Sequence, residues 1–177
     1  GGEPLLTMKD GCAGFFSEAE LAAGKGVVPR PLDAQPRAGK RPDDWRELAP
    51  GGACRLDRAQ VDALRAGGLA AAFGAPFDRL GLSRPIPLPG GRMTLVHRVE
   101  SLDLAGGRFG LGLIRAEADV HPDDWFMVCH FVDDRVMPGT LMYECCLHTF
   151  RILLTRMGWT GEAGRARFEP MTGVANR

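Results

Sequence analysis

Residues 140–157 constrain the fold of this chain more than any other part of its sequence. The apolar residues of this stretch point in almost every direction around a helix: Leu141, Met142, Tyr143, Cys145, Cys146, Leu147, Phe150, Ile152, Leu153, Leu154 and Met157. A helix that is apolar all round is buried rather than laid on a surface. Gly139 precedes the stretch, and Gly158 is a typical residue to end a helix. We therefore predict a buried helix with the rest of the fold built around it.

The few polar residues inside this helix share one stripe. They follow the spacing i, i+4, i+7 and i+11: Glu144, His148, Arg151 and Thr155. At about 100° per residue they fall within roughly 60° of one another. Burying an unpaired charge costs on the order of several kcal/mol, so these groups need partners. Because the stripe is narrow, we predict that it faces a catalytic cavity and not bulk solvent.

Charge and cysteine usage exclude several classes of protein. Lys plus Arg and Asp plus Glu both number 22, so the net charge is zero. The chain therefore lacks the excess of positive charge that is typical of proteins that bind nucleic acid or an anionic membrane. No apolar run reaches the roughly 18 residues of a membrane span, and residues 1–10 lack the features of a signal peptide. The cysteines number five, with Cys145 and Cys146 adjacent, which is not a disulfide framework. We expect a cytoplasmic protein without a nucleic-acid partner or a membrane span.

Composition divides the chain into 1–28, 29–83 and 84–177. In the first part, Ser17 followed by Glu20 is a capping-box signature that predicts a short helix. The chain begins without Met, and the pattern of another strand starts close to its end. We expect it to be a piece of a longer polypeptide.

The middle part, 29–83, is predicted to be a linker with short helices. Residues 29–50 are rich in proline and charge, and they offer little apolar surface to offset the entropy of ordering them. Residues 56–73 predict one or two helical turns that begin near Asp57 and are interrupted at Gly67-Gly68.

The last part predicts a hairpin followed by a turn. Residues 93–99 and 108–118 read as two strands, with 104–107 as the turn between them. His121 opens a further turn, and the apolar residues 126–131 are expected to enter a core. His97 and His121 are interpreted as surface or turn residues.

The segment Cys129-His-Phe-Val-Asp-Asp-Arg-Val-Met-Pro-Gly-Thr-Leu141, followed by Glu144, carries a resemblance. It resembles the active-site segment of the 3-hydroxyacyl-acyl-carrier-protein dehydratases, in the branch that handles 3-hydroxydecanoyl substrates. That segment has a His-Phe pair, a Val-Met-Pro-Gly stretch and an acid fourteen positions after the histidine, as Glu144 is after His130. The sequence around this segment, including 123–126 and 139–146, looks most like the tandem dehydratase domains of bacterial polyunsaturated fatty acid synthases. Arg135 departs from the family, which usually has Pro there, and His148 stands where Gln is common.

The resemblance implies an α+β hot-dog fold, with an antiparallel sheet wrapped around the central buried helix. Residues 84–177 would be the N-terminal, active-site-bearing half of that dehydratase domain. Residues 1–28 would be the tail of a preceding hot-dog domain. The remaining strands of the sheet are absent from this chain, which therefore looks truncated.

The resemblance also implies a function, the dehydration of a 3-hydroxyacyl thioester to the 2-enoyl thioester in fatty acid, polyunsaturated fatty acid or polyketide synthesis. It implies His130 and Glu144 as catalytic residues, and Gly139, Met137 and His148 as substrate-binding residues. No cofactor or metal is implied, because the acyl group arrives on the phosphopantetheine of an acyl carrier protein. The site would form between two lobes, so a second hot-dog lobe, from a tandem domain or a homodimer, is an expected partner.

The residue types suit this chemistry independently of the resemblance. A neutral histidine such as His130 accepts a proton near neutral pH. A carboxyl group among apolar side chains is more easily protonated, which suits Glu144 to help hydroxide leave. Gly139 begins the long helix, where free backbone N–H groups stabilise negative charge on the thioester oxygen.

Other interpretations of these residues stay open. Glu144 and Arg151 are compatible with a buried structural pair, and Cys129, His130, Cys145 and His148 contain the atoms of a zinc site, although their spacing lacks a typical ligand loop. A non-catalytic structural hot-dog domain of a multienzyme and a hot-dog acyl thioesterase are the alternative functions. The product formed from a 3-hydroxyacyl thioester separates them, since it is a 2-enoyl thioester, a free acid or nothing.

Overall fold

The computed structural model describes residues 15–23, 38–80 and 88–159, which belong to two compact units. The unit within 1–37 contains helix α1 (Glu18–Ala22). The backbone N–H of Ser17 donates to Glu20 Oε2 at 2.8 Å, and the N–H of Glu20 donates back to Ser17 Oγ at 3.3 Å. The bond from the Ser17 N–H and a second from its hydroxyl to the same oxygen, also at 2.8 Å, lower the pKa of Glu20. The predicted capping box and short helix are confirmed.

The second unit begins with two short helices. Helix α2 (Arg58–Arg65) starts at Asp57, whose carboxylate accepts from the N–H of Gln60 in a capping box. Helix α3 (Leu69–Phe73) follows after a break at Gly67, which has a φ of 81°. A 3-10 helix (Ala75–Leu80) comes next. The prediction of helical turns interrupted at Gly67-Gly68 is confirmed.

The hairpin pairs strand β1 (Arg98–Asp103) antiparallel to strand β2 (Leu113–Glu117). Both strands are shorter than predicted, and β1 begins later than the predicted 93–99. One reason is a 3-10 turn (Gly91–Met93) at its entry, and another is a loop at 104–112. Three glycines of this loop have positive φ, which ends the extended conformation: Gly107, Gly110 and Gly112. The described residues are thus α+β, whereas a sheet wrapped around the long helix stays a prediction.

Helix α4 (Trp125–Cys129) and helix α5 (Gly139–Arg156) follow the hairpin. The long helix was predicted within one residue at each end. The prediction that it is buried on all sides is wrong for this chain, because three of its large side chains are about half exposed: Met142, Tyr143 and Phe150. The prediction that 126–131 enters the core holds for Phe126 and in part for Met127, and it is wrong for Val128 and Phe131, which are exposed. Within the ranges that the structure describes, no helix combines the length and the apolar character needed to cross a bilayer.

The core consists of two clusters, and α5 contributes to both. The larger cluster joins α2, α3, the 3-10 helix and β1 to the C-terminal half of α5: Val61, Leu64, Leu69, Phe73, Phe77, Val99, Leu102, Ile152 and Leu153. The smaller cluster joins Leu95 and Phe126 to Leu141 of α5, with Met137 and Cys145 packed against it. The single helix α5 therefore connects α2, α3 and the 3-10 helix to the loop that carries His130.

Residues 38–53 have little regular structure, as predicted for 29–50, yet they pack against the C-terminal end of α5. The buried Arg156 guanidinium lies 2.6 Å from Glu47 Oε1 and donates to the carbonyls of Gly52 and Ala53 at 2.9 and 3.2 Å. The guanidinium also lies over the Phe77 ring, 5.6 Å from its centroid. The described part of the predicted linker 29–83 thus supplies much of the core, while residues 29–37 and 81–83 lie outside the described residues.

The ion pair between Glu47 and Arg156 yields a stability prediction. Glu47→Ala leaves the Arg156 guanidinium buried without a counter-ion, so we expect a loss of about 3 kcal/mol in the free energy of unfolding by urea. Asp43→Ala is the matched control, because it removes the partner of Lys40 from an ion pair whose side chains are 80% and 86% exposed. Equal unfolding midpoints for the two variants would show that Arg156 does not hold this segment in place.

Candidate active site

His130 follows α4 directly and lies in a loop that folds back on itself. The N–H of Val136 donates to the carbonyl of His130 at 2.9 Å, and the N–H of Phe131 donates to the carbonyl of Asp134 at 2.6 Å. The His130 and Phe131 rings lie 4.0 Å apart between centroids, and the peptide bond between these residues is cis. The loop therefore holds the imidazole in a defined orientation while leaving it partly exposed.

The hydrogen bond of His130 assigns its tautomer. Nδ1 lies 3.0 Å from the carbonyl oxygen of Val136. A carbonyl oxygen only accepts hydrogen bonds, so Nδ1 must carry the proton and donate. In the neutral ring, Nε2 then has a free lone pair, which is the form that a general base requires.

Helix α5 begins at Gly139, beside this loop. Gly139 is exposed, and a Cβ built on it would meet no atom within 4 Å. The carbonyl of Pro138 accepts from the N–H groups of Leu141 and Met142 at 2.9 and 3.1 Å. The N–H groups of Gly139 and Thr140, before these two, have no acceptor within the helix, so the N-terminus of α5 offers two donors and a favourable dipole to a negative charge.

Two of the four residues in the polar stripe of α5 are buried. Glu144 is a third exposed, whereas His148 and Thr155 are buried. His148 Nε2 lies 3.6 Å from Glu144 Oε2, which is longer than a hydrogen bond. Burial lowers the pKa of His148, so its ring is neutral at neutral pH. The prediction that the stripe avoids bulk solvent holds for His148 and Thr155 but not for Glu144 and Arg151, which are partly exposed, and none of the four lines the cleft described next.

A cleft of about 230 Å³ lies between the entry to β1, the segment after β2, and α4. Its polar and aromatic lining includes Arg58, Arg92, His97, Asp119 and Trp125. Met137 is the predicted site residue that lines it, and it connects the cleft to the loop of His130.

His97 was predicted to be a surface residue, and this prediction is wrong. The side chain is 8% exposed, and its Nδ1 accepts a hydrogen bond from the N–H of Asp119 at 2.9 Å. Burial lowers the pKa of His97, and the nearby Asp119 carboxylate opposes that shift. Accepting at Nδ1 places the proton of the neutral ring on Nε2.

Arg98 and Asp119 form a second feature that was missed in the sequence. Arg98 donates from Nη1 and Nη2 to the two oxygens of Asp119 at 2.8 and 2.7 Å. These hydrogen bonds lower the pKa of Asp119 and raise that of Arg98. Arg58 of α2 lies 3.7 Å from the same carboxylate. The ion pair fixes the start of the segment that leads to α4 and His130, but nothing in the local pattern of either residue reveals it.

His130 and Glu144 lie on opposite sides of Gly139 along the chain, and no hydrogen bond or ion pair joins them among the described residues. The four cysteines that the structure describes are free thiols, and burial raises the pKa of Cys145. Within the same residues, no three His, Cys, Asp or Glu side chains are grouped as metal ligands. The geometry therefore gives no support to a zinc site built from Cys129, His130, Cys145 and His148.

Two comparisons with known proteins agree with the motif. Residues 88–177 match the family of FabA-like domains. The chain is also 34% identical over 179 residues to a polyunsaturated fatty acid synthase subunit of Thraustochytrium sp. (strain ATCC 26185 / S-3). That alignment covers 99% of this chain but only 12% of the relative. The resemblance found in the sequence is confirmed by both.

The environment of His97 yields a pH prediction. The unfolded chain binds a proton at His97 near pH 6.5, whereas the folded chain resists it, so this residue makes stability fall as pH drops from about 7 to about 5. In His97→Asn the amide oxygen can replace Nδ1 as acceptor without titrating. We expect the variant to lose less unfolding free energy than the wild type over this interval. His148 titrates in both proteins, so parallel curves would mean that His97 is not the group responsible.

Proposed function

Because this chain belongs to the FabA-like domain family, we propose that it removes water from a 3-hydroxyacyl thioester to give the 2-enoyl thioester. The observation that carries the proposal is the hydrogen bond between His130 Nδ1 and the Val136 carbonyl. This bond selects the tautomer of a partly exposed histidine that has its lone pair on Nε2, next to the N-terminus of a helix whose second turn carries Glu144.

The reaction needs one group to accept a proton and another to supply one. His130 Nε2 takes the proton from C2, and the electron pair of that C–H bond forms the C2–C3 double bond. Glu144 gives its proton to the hydroxyl group on C3, which leaves as water. A positioned acid or base of this kind contributes about 10²- to 10⁴-fold to the rate.

Negative charge develops on the thioester oxygen as the proton leaves C2. The N–H groups of Gly139 and Thr140, at the start of α5, are the donors suited to stabilise it. The absence of a side chain at Gly139 and the open space beside it allow a substrate to approach the backbone closely. We place Gly139 and Met137 in contact with the acyl group, Met137 because it lines the cleft next to the loop of His130.

The proposal extends to the partners of the reaction. The acyl group arrives on the phosphopantetheine of an acyl carrier protein, and no cofactor or metal takes part. A second hot-dog lobe, from a tandem domain or a second copy, completes the site and the sheet around α5. Two observations support a second lobe: among the described residues no hydrogen bond or ion pair joins His130 to Glu144, and α5 exposes the apolar side chains Met142, Tyr143 and Phe150. The relative named as a polyunsaturated fatty acid synthase subunit favours a place in fatty acid synthesis, for which we propose the cytoplasm as the compartment.

The dyad assignment is tested by two substitutions in the full-length polypeptide. We expect His130→Ala and Glu144→Gln each to lower the rate of 2-enoyl thioester formation by about 10²-fold or more, while the thermal transition stays close to that of the wild type. The readout is conversion of a 3-hydroxyacyl thioester, with the 2-enoyl product and the free acid measured separately. Free acid from the wild type would identify a thioesterase instead, and no conversion at all would identify a structural domain.

Two further substitutions serve as controls, the first for His130→Ala and the second for Glu144→Gln. Asp133→Ala alters an exposed residue in the loop of His130, and Glu100→Gln neutralises a carboxylate that pairs with Arg55 at 2.8 Å. Both should retain the wild-type rate. If His130→Ala or Glu144→Gln also retains it, the assignment of the dyad is wrong.

A further inference from the structure

The cleft beside α4 contains a buried hydrogen-bond donor that the protein itself does not use. His97 is 8% exposed and lines the cleft, and its Nδ1 accepts from the N–H of Asp119, so the ring proton is on Nε2. Among the described residues, this is the one hydrogen bond of the His97 side chain. A buried N–H without an acceptor is destabilising, so an acceptor that enters the cleft gains a hydrogen bond at little cost in desolvation.

Two guanidinium groups line the same cleft. Arg92, in the 3-10 turn before β1, is exposed, and its side chain forms no hydrogen bond or ion pair with the described residues. Arg58, the first residue of α2, lies 3.7 Å from the Asp119 carboxylate, which is longer than a hydrogen bond, and its side chain is 61% exposed. A guanidinium group binds oxyanions through several N–H donors, and both of these groups have unused donors.

The carboxylates of the cleft already accept hydrogen bonds. Arg98, which also pairs with Glu117 outside the lining, donates to both oxygens of Asp119. Asp124 Oδ2 accepts from the N–H of His121 at 2.7 Å. With Asp119 paired, two guanidinium groups face a single carboxylate, that of Asp124. The lining therefore offers an excess of donors and of positive charge, which selects a ligand with acceptors and a negative charge.

The three unused donors come from three different segments of the chain. Arg58 begins α2, Arg92 lies in the 3-10 turn, and His97 directly precedes β1. Donors on separate segments suit a tetrahedral phosphate, whose oxygens point in several directions, better than a planar carboxylate with two oxygens. The volume of about 230 Å³ admits a phosphate with a small organic group beside Trp125, whose Nε1 donates to the Arg92 carbonyl at 2.9 Å.

We propose that this cleft binds a phosphate group through the guanidinium groups of Arg58 and Arg92 and through the Nε2–H of His97. Neither His130 nor Glu144 lines the cleft. Arg58 precedes residues 88–177, which match the FabA-like domain family, so the site combines that domain with the helix before it. The site does not depend on the proposed function, because binding is measured without any reaction.

The test measures binding of inorganic phosphate to the full-length polypeptide by titration calorimetry at constant ionic strength. Arg92→Gln removes one guanidinium group, and His97→Asn keeps an acceptor for the Asp119 N–H but removes the donor at Nε2. We expect each substitution to raise the Kd for phosphate about 10-fold or more. Arg55→Gln is the matched control, because it removes an equal charge that pairs with Glu100 away from the cleft, and it should retain the wild-type Kd.

The phosphate belongs either to a free phosphate ester or to the phosphopantetheine arm of a carrier protein. Titrations with 4′-phosphopantetheine and with pantetheine separate these sources. Tighter binding of 4′-phosphopantetheine than of inorganic phosphate, lost in Arg92→Gln, would assign the phosphate to the arm, and equal Kd values would assign it to a free ester. Either result supports the site, and only the assignment to the arm rests on the proposed function.

Three results would overturn the phosphate site. They are a wild-type protein that binds no phosphate, the same Kd in the wild type, Arg92→Gln and His97→Asn, and pantetheine that binds as tightly as 4′-phosphopantetheine. The thermal transition of each variant is recorded beside its titration. If His97→Asn does not fold, Arg92→Gln still decides, because its side chain is exposed and contributes nothing to the core.

Discussion

The packing of α5 on both of its halves is the constraint on which the rest of the structure depends. Ile152 and Leu153 enter the larger cluster with β1, while Leu141 enters the smaller cluster with Phe126 of α4. Because a helix is a rigid rod, these two anchorages fix the hairpin and the loop of His130 relative to each other. The position of Glu144 between them is therefore set by hydrophobic packing at either side and not by its own contacts.

Buried and half-buried ionisable side chains in this chain avoid an unpaired charge in two different ways. Arg98 and Arg156 keep their charges and meet carboxylates, at 2.7 Å from Asp119 and 2.6 Å from Glu47. His97 and His148 instead become neutral, because burial lowers the pKa of each. The first solution builds the scaffold, since a paired ion in the interior is costly to break. The second keeps a directional hydrogen-bonding group beside the site without adding a charge.

Local features could be predicted from the sequence, and features that depend on distant parts of the chain could not. The capping boxes at Ser17 and Asp57 and the bounds of α5 rest on spacings of a few residues, and the motif around His130 was recognisable for the same reason. The burial of His97 was missed because its partner is the N–H of Asp119, 22 residues away. The docking of residues 38–53 was missed because proline and charge suggested a segment with nothing to bury, whereas its partners, among them Phe73 and Arg156, lie far along the chain. The exposed face of α5 contradicts its composition, which alone predicts burial on every side.

The contact between Arg156 and Gly52 spans 104 residues of sequence. Loops of this length close slowly, and contacts between distant residues retard folding more than they affect final stability. During synthesis, α2 and α3 leave the ribosome long before the helix that covers them, so their apolar faces stay open until α5 follows. A polypeptide assembled in this order leaves Phe73 and Phe77 exposed while the roughly eighty codons up to Arg156 are translated.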